Sequence, residues 1–202
     1  MKVVLTGGPS GGKTTLAATI QKEFSEKVLI VPEAASMLFA GGFPRKPGLK
    51  SVSHRQKAIY FLQRELEALC QDEKPEALLV CDRGSLDGHA YWPDPNSNFL
   101  DAVESSFERE LKRYDWVIHL DTAPIDFYDV SNPIRVEGYE EALKLNEKVK
   151  SAWKNHPQRF VINNSGHFVD KLYRATYVID QILLGHNFLE IQNHLRSLQH
   201  KD

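Results

Sequence analysis

Gly7-Gly8-Pro9-Ser10-Gly11-Gly12-Lys13-Thr14-Thr15 decides how the rest of the chain is read. It fits G-x-x-x-x-G-K-[ST], a loop that binds phosphate. The apolar run Val3-Val4-Leu5 precedes it and reads as a strand. Leu16, Ile20 and Phe24 follow at intervals of four, on one face of a helix. Strand, glycine loop and helix in that order are the setting the motif requires. Successive backbone N–H groups must turn inward toward phosphate oxygens, and glycine permits the positive φ angles and close approach that this takes. The helix adds its free N–H groups and the positive end of its dipole. Gly8, Ser10, Gly11 and Gly12 are therefore expected to bind a nucleotide's phosphates. Lys13 would reach the β- and γ-phosphates, the Thr14 hydroxyl would hold Mg²⁺, and Thr15 would sit near the α-phosphate.

Outward from the loop, apolar runs at 28–32, 77–81, 116–120 and 159–162 join the first, at 2–6, as strand candidates. Nearly continuous apolar strands suit a sheet buried on both faces. Helical patterns separate them. One spans about 54–72, with Ile59, Leu62, Leu66 and Leu69 at spacings of three and four. A second spans about 139–154, with Leu145, Val149 and Ala152, and a third about 168–184, with Val169, Leu172, Thr176, Ile179 and Leu183. After Gly185 a last amphipathic helix carries Phe188, Ile191, Leu195 and Leu198. This alternation predicts an α/β fold, a parallel sheet with helices on both faces. Residues 1–202 read as one domain, with C-terminal helices over about 168–200. Two stretches rich in proline and glycine, 41–51 and 122–138, resist regular structure and read as binding loops, the second as a lid.

Composition narrows the function classes. A net charge of −2 argues against a sequence-independent grip on nucleic acid, which needs a basic face. No run reaches the ~18 apolar residues of a membrane span. The first apolar stretch meets Gly7-Gly8 too soon for a signal peptide. Cys70 and Cys81 form no disulfide framework and read as free buried thiols of a reducing compartment, with the cytoplasm as the expected location. Histidines such as His54 and His119 lack metal-ligand spacing, so no zinc site is expected.

Ligands of open parallel sheets bind beyond the carboxyl ends of the strands, so the polar residues that follow the strands are candidates. Asp82 follows an apolar strand and would orient Mg²⁺, although aspartate also caps helices. Arg83 would clamp phosphate with its planar fork or form a structural salt bridge. Glu33 would accept a proton from a substrate hydroxyl or position a metal-bound water; its plainer role is a first-turn carboxylate that favours the helix dipole. Asp121 reads more readily as a cap for the next turn. Arg135, in Asn132-Pro133-Ile134-Arg135-Val136-Glu137, would close over the γ-phosphate and neutralise transition-state charge. Arg55, Gln56, Gln63 and Arg64 read mainly as solvated surface, though Gln63 has the groups to read a base or amide edge. Arg45 and Lys46 read as loop charges that would also attract an anionic substrate. His89, Tyr91 and Trp92 either line the substrate pocket or pack their loop. Asn163, in Asn163-Asn164-Ser165 after the fifth strand, is the expected base contact. No N-K-x-D guanine motif is found, which leans toward ATP and leaves GTP open.

Leu5 to Thr15, Val31-Pro32-Glu33-Ala34-Ala35, Asp82-Arg83-Gly84-Ser85-Leu86-Asp87-Gly88 and the segment 132–137 together resemble P-loop ATPase/kinase-like proteins often described as AAA domain proteins. That family is related to the nicotinamide ribonucleoside kinase domain and, more distantly, to deoxynucleoside and thymidylate kinases. The likeness covers nearly the whole chain. It implies a P-loop NTPase three-layer fold, with a five-stranded parallel sheet in the order 2-3-1-4-5 and a lid after strand four. It also implies that Glu33 stands at the base position after strand two, Asp82-Arg83 at the acidic-arginine motif after strand three, and Arg135 at the lid arginine. The lid shows one clear arginine rather than a cluster, and the further motifs of hexameric AAA+ motors are not found. The expected activity is Mg²⁺-dependent transfer of the γ-phosphate of ATP to a small hydroxylated, nucleoside-like acceptor. The alternative is a nucleotide-dependent switch that orders the lid and a protein-partner surface.

Overall fold

A computed structural model describes residues 1–128 and 138–199. In chain order the elements are β1 (Lys2–Thr6), α1 (Lys13–Glu23), β2 (Val28–Val31), α2 (Ala34–Ala40), α3 (Leu49–Glu73), β3 (Leu78–Asp82) and α4 (Asp87–Ala90). Then come α5 (Phe99–Ala102), α6 (Phe107–Leu111), β4 (Trp116–Leu120), a 3₁₀ turn at Ile125–Phe127, α7 (Tyr139–Ala152), β5 (Arg159–Ile162), α8 (Phe168–Leu183) and α9 (Phe188–Gln199). The five strands form one sheet in the order β2-β3-β1-β4-β5, every pair parallel. That is the expected order, and each strand lies within one residue of its expected bounds.

Strand periodicity divides the core in two. Val3 and Leu5 point into a layer built with Leu16 and Ile20 of α1, Val178 and Ile182 of α8, and Ile191 and Leu195 of α9. Val4, Cys81 and Val117 point the other way, against Tyr60 of α3, Leu86, Phe99 and Val149 and Trp153 at the end of α7. The centre of the sheet is β1, with Lys2 opposite Leu79 and Val3 opposite Trp116. Cys70 and Cys81 are free and buried, and burial pushes both thiols up. No helix among the described residues is long and apolar enough to cross a membrane.

Two helices present a different face from the one apolar periodicity predicts. α3 begins at Leu49 rather than about 54, which shortens the preceding irregular loop. Its buried stripe is Gln56, Tyr60, Gln63, Glu67 and Cys70, while Leu69 is 62% exposed. The reason is chemical. Glu67 accepts from the Tyr114 hydroxyl at 2.6 Å, Arg113 at 2.7 Å, and Lys2 and Gln63 at 3.3 Å each. A buried carboxylate is tolerable when so paired, and this one ties α3 to β1 and to the entry of β4. On α8, Lys171 and Arg174 are buried while Val169 is 71% exposed. Arg174 donates to the Asn163 and Ser165 carbonyls at 3.0 and 2.8 Å, and Lys171 donates to Asn164 Oδ1 at 2.8 Å and to the Asp121 carbonyl. The loop after β5 is held by these two cations.

Lys171 sets a pH signature. Burial pushes its ammonium down from 10.5 to about 8, against the attraction of Asp121 and with help from Arg174. Between about 8 and 10.5 the unfolded chain binds the proton that the folded chain has released, so stability rises with pH across that window. Lys171→Met is expected to flatten that rise. Urea unfolding of both proteins at pH 7.5 and 9.5 checks it; parallel changes would exclude the lysine.

Candidate active site

The loop between β1 and α1 is shaped by what surrounds it. Gly7 has φ +127°, and a Cβ there would lie 2.0 Å from the Leu120 carbonyl oxygen, so only glycine fits. Gly12 has φ +92°, and a Cβ there would meet the Phe168 ring at 2.8 Å. The loop is thus clamped between the end of β4 and the start of α8. Asn146 of α7 holds it from a third side: its Oδ1 accepts the Gly8 N–H at 3.0 Å and the Thr122 N–H at 3.3 Å, and lies 3.1 Å from His119 Nε2. Its Nδ2 donates to Asp121 Oδ1 at 3.0 Å.

Lys13, the first residue of α1, folds over the loop. Its Nζ donates to the carbonyls of Gly8 at 2.7 Å and Gly7 at 3.0 Å. Burial pushes the ammonium down to about 7; the Arg83 charge adds to this, and Asp82, Asp87 and Glu33 oppose it. The Thr14 hydroxyl donates to Asp82 Oδ2 at 3.3 Å. Burial, with Glu33 adding, raises the Asp82 carboxyl, while Lys13, Arg83 and Thr14 pull the other way.

Glu33 is the N-cap residue of α2, just past β2, but its side chain makes no capping hydrogen bond. Arg83 Nε donates to Glu33 Oε1 at 2.5 Å, and the Ser36 hydroxyl donates to its other oxygen. Burial would raise this carboxyl, but the Arg83 charge and the two hydrogen bonds outweigh it and hold Glu33 below its ordinary value. Arg83 has φ +76° and also pairs with Asp87 at 3.3 Å. Asp87 Oδ1 receives the Thr6 hydroxyl at 2.6 Å and Trp153 Nε1 at 2.8 Å. Asp87 therefore anchors Arg83, and Arg83 in turn orients Glu33.

These groups share one cleft of about 870 Å³. Ser10, Gly11, Gly12, Lys13, Thr14, Thr15, Glu33, Asp82 and Arg83 all line it, as do Arg45, Lys46, Arg55 and Tyr91. Gln56 and Gln63, expected at the surface, are buried in its wall. Phe127 and Phe168, 74% and 46% exposed, form an apolar rim that sequence reading did not single out. His89 and Trp92 instead pack on Phe99, with ring centroids 6.4 and 5.6 Å away. Gly8 is not in the lining: its N–H serves Asn146 and its carbonyl Lys13. Asn163 does not join the cleft either, since its Oδ1 accepts from Arg174 at 3.0 Å and from the Ser165 hydroxyl at 2.7 Å. Asp121 caps no helix; it pairs with Lys150 of α7 at 2.8 Å, and its contacts with His119, Asn146 and Lys150 hold it well below the usual carboxylate range despite burial. Arg135 and Glu137 lie outside the described residues. Asp87 and Asn146 were missed because their work is tertiary. Asp87 did stand inside the quoted run 82–88, but Asn146 has no local signal.

A family profile described as "AAA domain" matches residues 2–171. No curated protein matches by sequence. Among solved structures, the deoxyadenosine kinase from M. mycoides with bound dATP superposes with a TM-score of 0.61 at 16% identity, covering 89% of this chain and 99% of that one. The thymidylate kinase from Candida albicans gives a TM-score of 0.61 at 17% identity, covering 92% and 93%. At these identities the likeness is one of fold.

Proposed function

Since the chain belongs to the AAA domain family, matched over residues 2–171, we propose that it is a kinase that moves the γ-phosphate of ATP to a hydroxyl of a small nucleoside-like acceptor. The observation that carries this reading is the placement of Glu33. Its carboxylate, held by Arg83 at 2.5 Å, opens into the same cleft as Lys13 and Thr14. A hydrolase or switch needs a positioned water; a carboxylate oriented beside the phosphate loop also suits an acceptor hydroxyl.

In the proposed reaction the acceptor oxygen forms a bond to the γ-phosphorus, the bond from phosphorus to the β–γ bridging oxygen breaks, and ADP departs with that electron pair. Glu33 receives the hydroxyl proton. The transition state is loose, so positioning and charge do most of the work. Lys13 would leave the Gly7 and Gly8 carbonyls for the β- and γ-phosphates. Arg83 keeps Glu33 oriented, and its charge faces the transferring group. Among the described residues no cluster of three His, Cys, Asp or Glu side chains is arranged for a metal, whereas Thr14 and Asp82 offer two hard oxygens 3.3 Å apart at the phosphate loop. That donor set fits Mg²⁺, which takes few protein ligands and relies on phosphate and water for the rest. When bound, the ion neutralises phosphate charge; Thr14 and Asp82 are the residues that would hold it. Arg135 is assigned to the same transition state on the family resemblance.

Transfer of labelled γ-phosphate from ATP to pooled nucleosides, sugars and vitamins tests the reading. A labelled acceptor is the expected result. Free phosphate with no labelled acceptor would replace the kinase with a hydrolase or switch.

A further inference from the structure

One helix is hydrogen-bonded to both halves of the cleft, through two side chains that do not line it. The first is Asn146 of α7, which is buried and uses both ends of its amide in full. Its Oδ1 accepts the Gly8 and Thr122 N–H groups, and its Nδ2 donates to Asp121 Oδ1 at 3.0 Å and Glu147 Oε1 at 3.2 Å. Carboxylate oxygens only accept, so they fix which end of the amide faces Gly8. Gly8 is pressed against this helix: a Cβ there would lie 2.1 Å from Thr122 Oγ1 and 2.8 Å from Asn146 Cβ. The Gly8 carbonyl accepts Lys13 Nζ at 2.7 Å. Gly8 thus joins Asn146 to the lysine of the phosphate loop. The second side chain is Trp153, the C-cap of α7. It stands seven residues on, on the same face and about 10 Å further along the axis. It is fully buried, and its Nε1 donates to Asp87 Oδ1 at 2.8 Å. Its ring fills the space beside the turn after β3, where a Cβ on Gly84 would lie 2.7 Å from it. Asp87 pairs with Arg83, and Arg83 with Glu33.

Transfer needs a fixed distance between a phosphate on the loop and a hydroxyl at Glu33, and a misplacement of about 1 Å can cost 10²-fold in rate. The Thr6 hydroxyl, just before the loop, ties β1 to Asp87 at 2.6 Å. The helix adds a brace that reaches the loop itself. We propose that Asn146 and Trp153 are positioning residues. Through α7 they set the phosphate loop against the Arg83–Glu33 pair, so that each hydrogen bond strengthens the hold of the other. Neither residue touches the reacting atoms, and no bond is made or broken at either. The consequence for rate rests on the kinase reading of the cleft; the coupling itself is read by binding alone.

The test is a double-mutant cycle on the full chain, with Asn146→Ala, Trp153→Phe and both together. Phenylalanine keeps a ring beside Gly84 and removes the Nε1 donor. Calorimetry with a non-hydrolysable ATP analogue reads the loop without any transfer. Asn146→Ala is expected to weaken the analogue about tenfold, the scale of a buried donor left without its partner. Trp153→Phe, although outside the cleft, is expected to weaken it about threefold, and the double variant no more than Asn146→Ala alone. In transfer assays each single variant should lower kcat by about 10–100-fold. The KM for the acceptor should stay within about twofold, since a brace acts on the reacting geometry rather than on acceptor binding. Circular dichroism and thermal melts establish folding, and Asn146→Ser, a small polar replacement, takes the place of Asn146→Ala in the cycle if that variant does not fold. Wild-type affinity for the analogue in Trp153→Phe, or losses that simply multiply, would overturn the proposal, because each residue would then brace only its own half. The two readings fail differently. Coupled losses of affinity with no acceptor phosphorylated uphold the brace and remove the kinase; transfer by the wild-type chain with losses that multiply keeps the kinase and removes the brace.

Discussion

Lys13→Ala is expected to lower phosphoryl transfer by about a thousandfold, the upper range for removing one preorganised cationic or hydrogen-bonding group aimed at transition-state charge. The structure gives reasons to place it that high. Lys13 is the one lysine at the start of α1, 7% exposed, and its burial already depresses its pKa to about 7. A phosphate therefore meets a poorly solvated charge, which interacts more strongly than a hydrated one. The loss should appear in both nucleotide affinity and turnover. Steady-state assays and calorimetry on the variant check it, with circular dichroism to establish folding. A variant within tenfold of wild type would mean that the loop is not a phosphate site.

Glu33→Gln should behave differently, with nucleotide affinity within about twofold of wild type and transfer reduced by roughly 10²–10⁴, the usual worth of a general base. Glutamine keeps the size of the side chain and an oxygen for Arg83, while Arg83 retains Asp87 at 3.3 Å, so the wall should stay in place. A single-turnover assay at saturating ATP isolates the chemical step. Transfer that survives within tenfold would remove Glu33 from proton transfer and leave it as a partner for Arg83. Glu33→Ala is the harsher companion: it should also loosen Arg83 and affect acceptor binding.

Contrasts between particular residues show what the sequence could tell. The phosphate loop and five strands were legible because both have local signatures: a fixed glycine and lysine spacing, and short β-branched runs. The faces of α3 and α8 were not. Periodicity finds the apolar stripe, and on α3 that stripe (Ile59, Leu62, Leu66, Leu69) lies beside the buried one. The truly buried residues are polar because they meet a cleft and an ionic cluster rather than oil. Glu67 looks like any surface glutamate until Tyr114, Arg113 and Lys2 arrive from distant positions. Glu33, Asp82 and Arg83 were legible from topology, since ends of parallel strands meet at one rim. Asn163 satisfied the same rule, yet Arg174 holds its side chain away from the cleft. Which strand-end residues face a ligand depends on neighbours that one-dimensional patterns do not contain.

The central position of β1 bears on how the protein is made. Its residues leave the ribosome before those of its neighbours, so Lys2 finds its partner only when Leu79 emerges, and Val3 waits for Trp116 on its other side. At ~5–20 residues per second, the first wait alone is about 4–15 s. Gly7 is not enclosed until Leu120 is in place, and Gly8 gains its hydrogen bond only with Asn146. A loop translated early is thus completed only by residues translated much later. The loop takes its final form only once α7 has been translated.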